Sequence, residues 1–392
     1  MAAADAAFLE ALEIAPDDAA RCRAKIGRAQ CQRVTDDLVE AAATLAQAEA
    51  RAEAGGLLLE RAQIHHLRGN LLFPQGRFDE CLAEHKLALA LAREAGSVEA
   101  EIAALGGLGD AAYTVGLMRS ARDMFERCVR LAREAGLGRV AIANAPMLAI
   151  LCFLDGEPAE AERIAGETLE AARRAGAVRP EMICRHVRFL LAVEAGDWQR
   201  ARAEIERANE IAVGLGATRF QAENSAFLAW ALRGEGRREA AIELARHGRT
   251  LAETGAGRSY MLPVVLGQIA AASDNEAERE AAVGEACEIL DAGAMAHCYL
   301  FFYRALIEAD ALCGRSERAK DWASALEAAV AAEPTAWSGY VADWARAMAG
   351  LTDEGGVATA VALADVGKRI GMSQLAGILE ASVARIGDDL QR

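Results

Sequence analysis

The sequence predicts an all-α protein, an α-solenoid of antiparallel helix pairs with a 40-residue repeat, wound as a right-handed superhelix. Three observations carry that expectation. Glycine stands at positions 56, 76, 96, 116, 136, 156, 176, 196, 216 and 236, an unbroken 20-residue series in a chain holding 35 Gly among 392 residues. Helices commonly end at Gly, which enters the left-handed cap conformation without a Cβ penalty. A stop every 20 residues therefore marks helices of about 17 residues, roughly 25 Å long. Second, the residue five beyond alternate glycines is always small: Cys81, Ala121, Ala161, Ala201 and Ala241. A small side chain there lets the second helix of a pair (B) approach the first (A) closely. Third, residues such as Phe78, Cys81, Leu82, His85, Ala88, Leu89 and Ala92 draw one helical stripe.

Taken in order, residues 2–14 make one helix without a partner before it. Pairs then follow at about 16–54, with Asp36-Asp37 near its turn, and at 57–96, 97–136, 137–176, 177–216 and 217–255. Pro180 suits a first helical turn, where its missing N–H costs nothing. Pro146 lies inside a helix A and should kink it or delay its start. The register slips after Gly236: Ser273-Asp274-Asn275 makes one turn and Cys313-Gly314-Arg315 the next. Pairs at 258–292, 295–333 and 335–371 and a terminal helix at 373–387 complete a single superhelical array over 1–392, with 18 or 19 paired helices. Because the segment Ala11–Asp18 has the character of a helix-B end and a new repeat, the array is expected to start in mid-repeat, as the C-terminal part of something longer.

The net charge of −15 and the pI near 5 disfavour a sequence-independent grip on nucleic acid or anionic lipid. Nine Cys without any C-x-x-C fit reduced thiols and a cytoplasmic location. The longest uncharged runs, Val140–Leu154 and Ser259–Ser273, are too short to span a membrane and suit buried helices.

The segment from Gly69 to Cys81 resembles a tetratricopeptide repeat: Gly69, Leu72, Gly76, Phe78 and Cys81 occupy the family's positions, and Gly109, Gly116, Ala121 and Phe125 match in the next unit. Later units keep the turn Gly and the small residue but carry Ala149, Phe189 and Ala229 in place of the earlier Gly. The 40-residue form resembles the C-terminal sensor arrays of bacterial signalling ATPases. One such class joins a class III adenylate or guanylate cyclase to an AAA-type ATPase, and another is the LuxR-type regulators related to the maltose activator. The resemblance implies a non-catalytic scaffold for protein binding and signal transduction.

Chemistry has little to stand on. The Gly367-Lys368 pair lacks the rest of a phosphate-binding loop, since Ala362 and Arg369 replace its Gly and Ser/Thr. His65 and His66 are adjacent, about 100° apart on a helix, and cannot share a metal as an i, i+4 pair can. No Ser-His-Asp or Cys-His set stands out. The expectation is accordingly no enzyme, no cofactor and no metal.

One constellation rises above this background. In the repeat family, the residues three, six and ten before the turn Gly face the concave wall. Phe73, Tyr113 and Phe153 recur at the first position, Asn70, Asp110, Leu190 and Trp230 at the second, and His66 and His186 at the third. They could clasp a protein or peptide partner through buried aromatic anchors and a few polar groups. They could equally pack between neighbouring A helices, or line a pocket for a small effector. A second aromatic cluster at 299–303 is better explained as core. Neither a nucleic acid nor a membrane is an expected partner; a homo-oligomer stays open.

Overall fold

A computed structural model describes residues 2–35, 37–253 and 257–390. Asp36, part of the first expected turn, lies outside them. Among the described residues every α or β element is an α-helix, twenty in all, joined by one 3₁₀ turn at Phe73–Gln75. The fold is an α-solenoid, as the glycine series predicts, with one or two helices more than the count of paired helices drawn from it.

The chain forms two compact units, the first from Met1–Val115 with Ser120–Ala141, the second from Gly116–Arg119 with Ile142–Arg392. The first seven helices are α1 (Ala2–Ile14), α2 (Asp18–Val34), α3 (Leu38–Ala54), α4 (Leu58–Leu72), α5 (Phe78–Glu94), α6 (Val98–Thr114) and α7 (Met118–Glu134). There follow α8 (Gly138–Leu154), α9 (Pro158–Ala175), α10 (Val178–Ala195), α11 (Trp198–Gly214), α12 (Thr218–Gly234), α13 (Arg238–Ala252) and α14 (Gly257–Ala272). The last six are α15 (Glu276–Asp291), α16 (Ala296–Leu312), α17 (Ser316–Ala329), α18 (Ala336–Ala349), α19 (Gly356–Arg369) and α20 (Ser373–Leu390).

The ten periodic glycines do what their spacing implies. All have φ between +62° and +85°, a region costly for any residue with a Cβ. At Gly56 the closing bonds run from Leu57 N–H to the Ala52 carbonyl at 2.9 Å and from Gly56 N–H to the Glu53 carbonyl at 3.2 Å. This is a Schellman end, which satisfies carbonyls that the helix leaves open. The small residues of the B helices, Cys81, Ala121, Ala161, Ala201 and Ala241, are all buried. Pro146 does not delay its helix: α8 already starts at Gly138 and runs through it.

In the first unit α2 packs on α4 and α4 on α6, so the A helices form one continuous wall. Its core joins Cys22, Leu45, Ile64 and Leu67 in one cluster and Leu89, Ile102, Leu105 and Cys128 in another. Missing side chains set the spacing here. A Cβ on Gly109 would lie 2.9 Å from the Phe125 ring, and one on Gly27 2.3 Å from the Phe8 ring, which is how α1 seats against α2.

The second unit has a filled interior. Phe153 of α8 touches Trp337 of α18, which touches Phe301 of α16, which in turn meets Phe227 and Trp230 of α12; ring centroids are 5.5 to 6.4 Å apart. Phe301 and Phe302 are buried, and Tyr299 donates its hydroxyl to the Leu290 carbonyl at 2.6 Å, so the 299–303 cluster belongs largely to the core. Elements far apart in sequence meet: a Cβ on Gly371 would lie 2.7 Å from the Pro158 ring, and α10 packs on α20.

Candidate functional site

Five of the nine sequence-selected residues lie on the first unit. His66 and Asn70 stand one turn apart on α4, and the Asn70 carboxamide nitrogen is 3.1 Å from His66 Nε2. Phe73 opens the 3₁₀ turn, half-buried, with its ring edge-on to Phe78 at 6.1 Å. Asp110 is exposed on α6, whereas Tyr113, one turn on, is 8% exposed and belongs to the core. His66, Asn70, Phe73 and Asp110 thus keep accessible surface on the α4–α6 wall.

Behind them lies His85 of α5, buried where Gly69 and Gly107 have no side chains: a Cβ on either would fall 2.5 or 2.3 Å from its ring. Burial pushes His85 down to about 3, helped by the neighbouring His66. Burial likewise lowers His66 to about 4, with the Arg33 charge adding to the effect. Both imidazoles are therefore neutral near pH 7, which makes His66 Nε2 the acceptor of the Asn70 N–H. His65 points elsewhere, its Nδ1 2.6 Å from Glu84 and its Nε2 3.3 Å from Glu49. Among the described residues no group of three or more His, Cys, Asp or Glu could hold a metal ion.

Arg33 is the residue the sequence reading missed. It is exposed at the end of α2, and its charge reaches His66. Position 33 is three residues before position 36, the 20-residue register before Gly56, but with no Gly at 36 nothing in the sequence marks the column there.

The other four selected residues, Phe153, His186, Leu190 and Trp230, are buried in the second unit, at 5%, 4%, 3% and 1% exposure. The expectation that they offer free surface to a partner is overturned by this burial. Trp337 of α18 stands against Phe153, and Phe301 of α16 against Trp230. His186 is committed within the fold, with Nε2 2.7 Å from the Asn224 carboxamide oxygen and its ring edge-on to Phe227 at 5.7 Å.

Deeper in that unit sits a charge cluster. Arg304, with no exposed side-chain surface, lies 3.1 Å from Glu308, 3.5 Å from Glu194 and 3.1 Å from the Gln374 carboxamide oxygen, with its guanidinium 5.6 Å from the Trp230 ring. Arg233 reaches Glu308 at 2.8 Å, and Trp337 donates its indole N–H to Glu194 at 3.0 Å. Burial alone would raise Glu308, but Arg233 and Arg304 hold it down at about 2. At Glu194 burial wins over the longer contact to Arg304, and its pKa is raised. The cluster ties α10, α12, α16, α18 and α20 together and offers no open site. A cleft of about 730 Å³ between α18 and α19 contains none of the nine selected residues. Among the described residues no helix is long and apolar enough to cross a membrane.

Residues 60–134 match the tetratricopeptide repeat family model. The fold is a tetratricopeptide-like α-solenoid. A Rap protein crystallised with competence and sporulation factor superimposes with a TM-score of 0.63 at 13% identity, covering 82% of this chain and 89% of that one. The Rap conjugation gene regulator of plasmid pLS20, in complex with the Phr* peptide, gives 0.53 at 12% identity over 70% and 74%. The apo quorum sensor NprR from B. thuringiensis gives 0.51 at 12% over 97% and 91%. At these identities the likeness establishes the tetratricopeptide-like fold alone. No curated protein matches the sequence.

Proposed function

We propose that this chain is a non-catalytic interaction array that binds a short protein or peptide segment on the α4–α6 wall and relays that event to an effector. The observation that carries the reading is the contrast at equivalent repeat positions. His66, Asn70, Phe73 and Asp110 keep accessible surface on the first unit, while Phe153, His186, Leu190 and Trp230 are spent on the core of the second. The four accessible groups are chemically complementary to an extended peptide. The Asn70 carboxamide carries the donor and acceptor that a peptide bond presents in mirror image, and Phe73 supplies an apolar anchor. Asp110 and Arg33 set opposite charges on the same wall. Support also comes from the solved structures of like fold, two of which hold a peptide or a competence factor. In this reading the array is the regulatory part of a larger cytoplasmic signalling protein, of the cyclase–ATPase or LuxR-type kind that its long repeat resembles.

Panning a random heptapeptide library on the immobilised protein tests it. Enriched peptides should lose roughly fivefold or more in affinity on Phe73→Ala, the effect of removing about 1 kcal/mol of anchor, with helix content unchanged. No enrichment, or equal affinity for the variant, would overturn the reading.

A further inference from the structure

Arginines recur at 139, 179 and 219, one repeat apart, and the last two meet on the second unit. Arg179 lies 5.9 Å from the centroid of the Phe220 ring and Arg219 4.8 Å from the same centroid; Arg219 is also 5.2 Å from the Tyr260 ring. Three successive A helices, α10, α12 and α14, thus bring two guanidiniums against one aromatic pair, Phe220 and Tyr260, whose rings meet edge to face at 6.2 Å.

These two residues stand apart electrostatically. Among the described residues every other arginine from Arg173 to Arg258 reaches a carboxylate oxygen, and Arg179 and Arg219 do not. In a chain of net charge −15 carboxylates are in ample supply. The two nearest in sequence are engaged elsewhere: Glu181 by Arg173 and Arg185, Glu223 by His186 and the Tyr260 hydroxyl. Both arginines also stand in the first turn of their helices, where a cation opposes the helix dipole, so neither gains from the dipole of α10 or α12. What the pair gains is order. The ring contacts, Phe220 for both arginines and Tyr260 for Arg219, hold the guanidiniums while leaving Arg179 exposed and Arg219 half-exposed.

We propose that Arg179 and Arg219, backed by Phe220 and Tyr260, form a recognition site for an anionic oxygen group, carboxylate or phosphoryl, carried on an acidic peptide segment. Guanidinium forks match the two oxygens of such a group, and a fork already ordered by ring contacts loses little freedom on binding. The site is on the second unit and stands independently of the α4–α6 wall.

Isothermal titration of the full chain at low ionic strength tests it with three probes: hexaglutamate, hexaglutamine and inorganic phosphate. Hexaglutamate should bind and weaken with added salt, and hexaglutamine should not bind. Arg179→Gln and Arg219→Gln should each lower hexaglutamate affinity roughly tenfold at unchanged helix content, with Arg219→Lys in between because an ammonium keeps the charge but not the fork. Phosphate binding that is lost in the same variants, without hexaglutamate binding, assigns the phosphoryl source. Equal hexaglutamate affinity in the Arg179→Gln/Arg219→Gln double variant, or no heat with either anion in the parent chain, would overturn the proposal. So would loss of hexaglutamate binding in Asn70→Ala, which places the anion on the first unit.

Discussion

Replacing Arg304 by Met isolates the buried charge cluster. The guanidinium is fully buried and contacts Glu194, Glu308, Gln374 and the Trp230 ring. Without it, Glu308 keeps Arg233 and the Gln374 amide, at 2.8 and 3.0 Å. Glu194 keeps only the Trp337 indole N–H at 3.0 Å. The cost is therefore that of one buried carboxylate left without its cation, about 3–5 kcal/mol. Removing that carboxylate's charge as well, in Arg304→Met/Glu194→Gln, should restore about half or more, because the indole can still donate to a carboxamide. Urea titrations followed by far-UV dichroism measure the four corners of the cycle through their midpoints. The pH dependence gives a second readout. A carboxylate whose folded pKa is raised contributes stability below its unfolded value that is lost as pH rises through the folded one. Glu194 is already raised, and losing Arg304 raises it further, so the variant should be more damaged at pH 7 than at pH 5. A loss under 1 kcal/mol, or single-variant losses that simply add, would show that the cluster is not a coupled unit.

Three other outcomes follow from the packing. Ala121→Leu should overpack the inner face of α7, where Ala121 is fully buried, and cost roughly 1–3 kcal/mol; an unchanged melting temperature would make the small residue incidental. Gly107→Ala places a Cβ 2.3 Å from His85 and should destabilise despite the helix propensity gained, with His85→Ala rescuing it; a stabilised single variant would refute the clamp. The lowered pKa values of His66 and His85, about 4 and 3, mean that stability is lost as pH falls below the unfolded value of 6.5, by about 2 kcal/mol per imidazole at pH 5. Imidazole resonances that titrate above pH 6 would contradict the burial argument.

The helices were legible because their ends are written locally. A positive-φ Gly, a small residue five places on and an apolar stripe need no knowledge of distant chain, and where the Gly series fails, Asn275 and Gly314 still mark the turns. The candidate wall was only half legible. Counting back from the turn Gly finds the same helical face in every repeat, but whether that face stays open depends on what lands against it. Trp230 and Phe153 are covered by Phe301 and Trp337, which come from helices two and five pairs further along. Nothing near residue 153 or 230 announces them. Arg33 was hidden by the missing Gly at position 36. The Arg179–Arg219 pair was visible as a 40-residue period, but its lack of carboxylate partners exists only in three dimensions.

The reach of the charge cluster has a consequence for synthesis. Glu194 is paired by Arg304 and Trp337, 110 and 143 residues downstream. At about 5–20 residues per second, its carboxylate waits many seconds for those partners to be translated. During that interval α10 can form its helix but has no reason to bury Glu194, because an unpaired carboxylate is cheaper in water. Burial of Glu194 is thus timed by α16 and α18, and a chain truncated before Ala296 should leave the ribosome with that carboxylate still facing solvent.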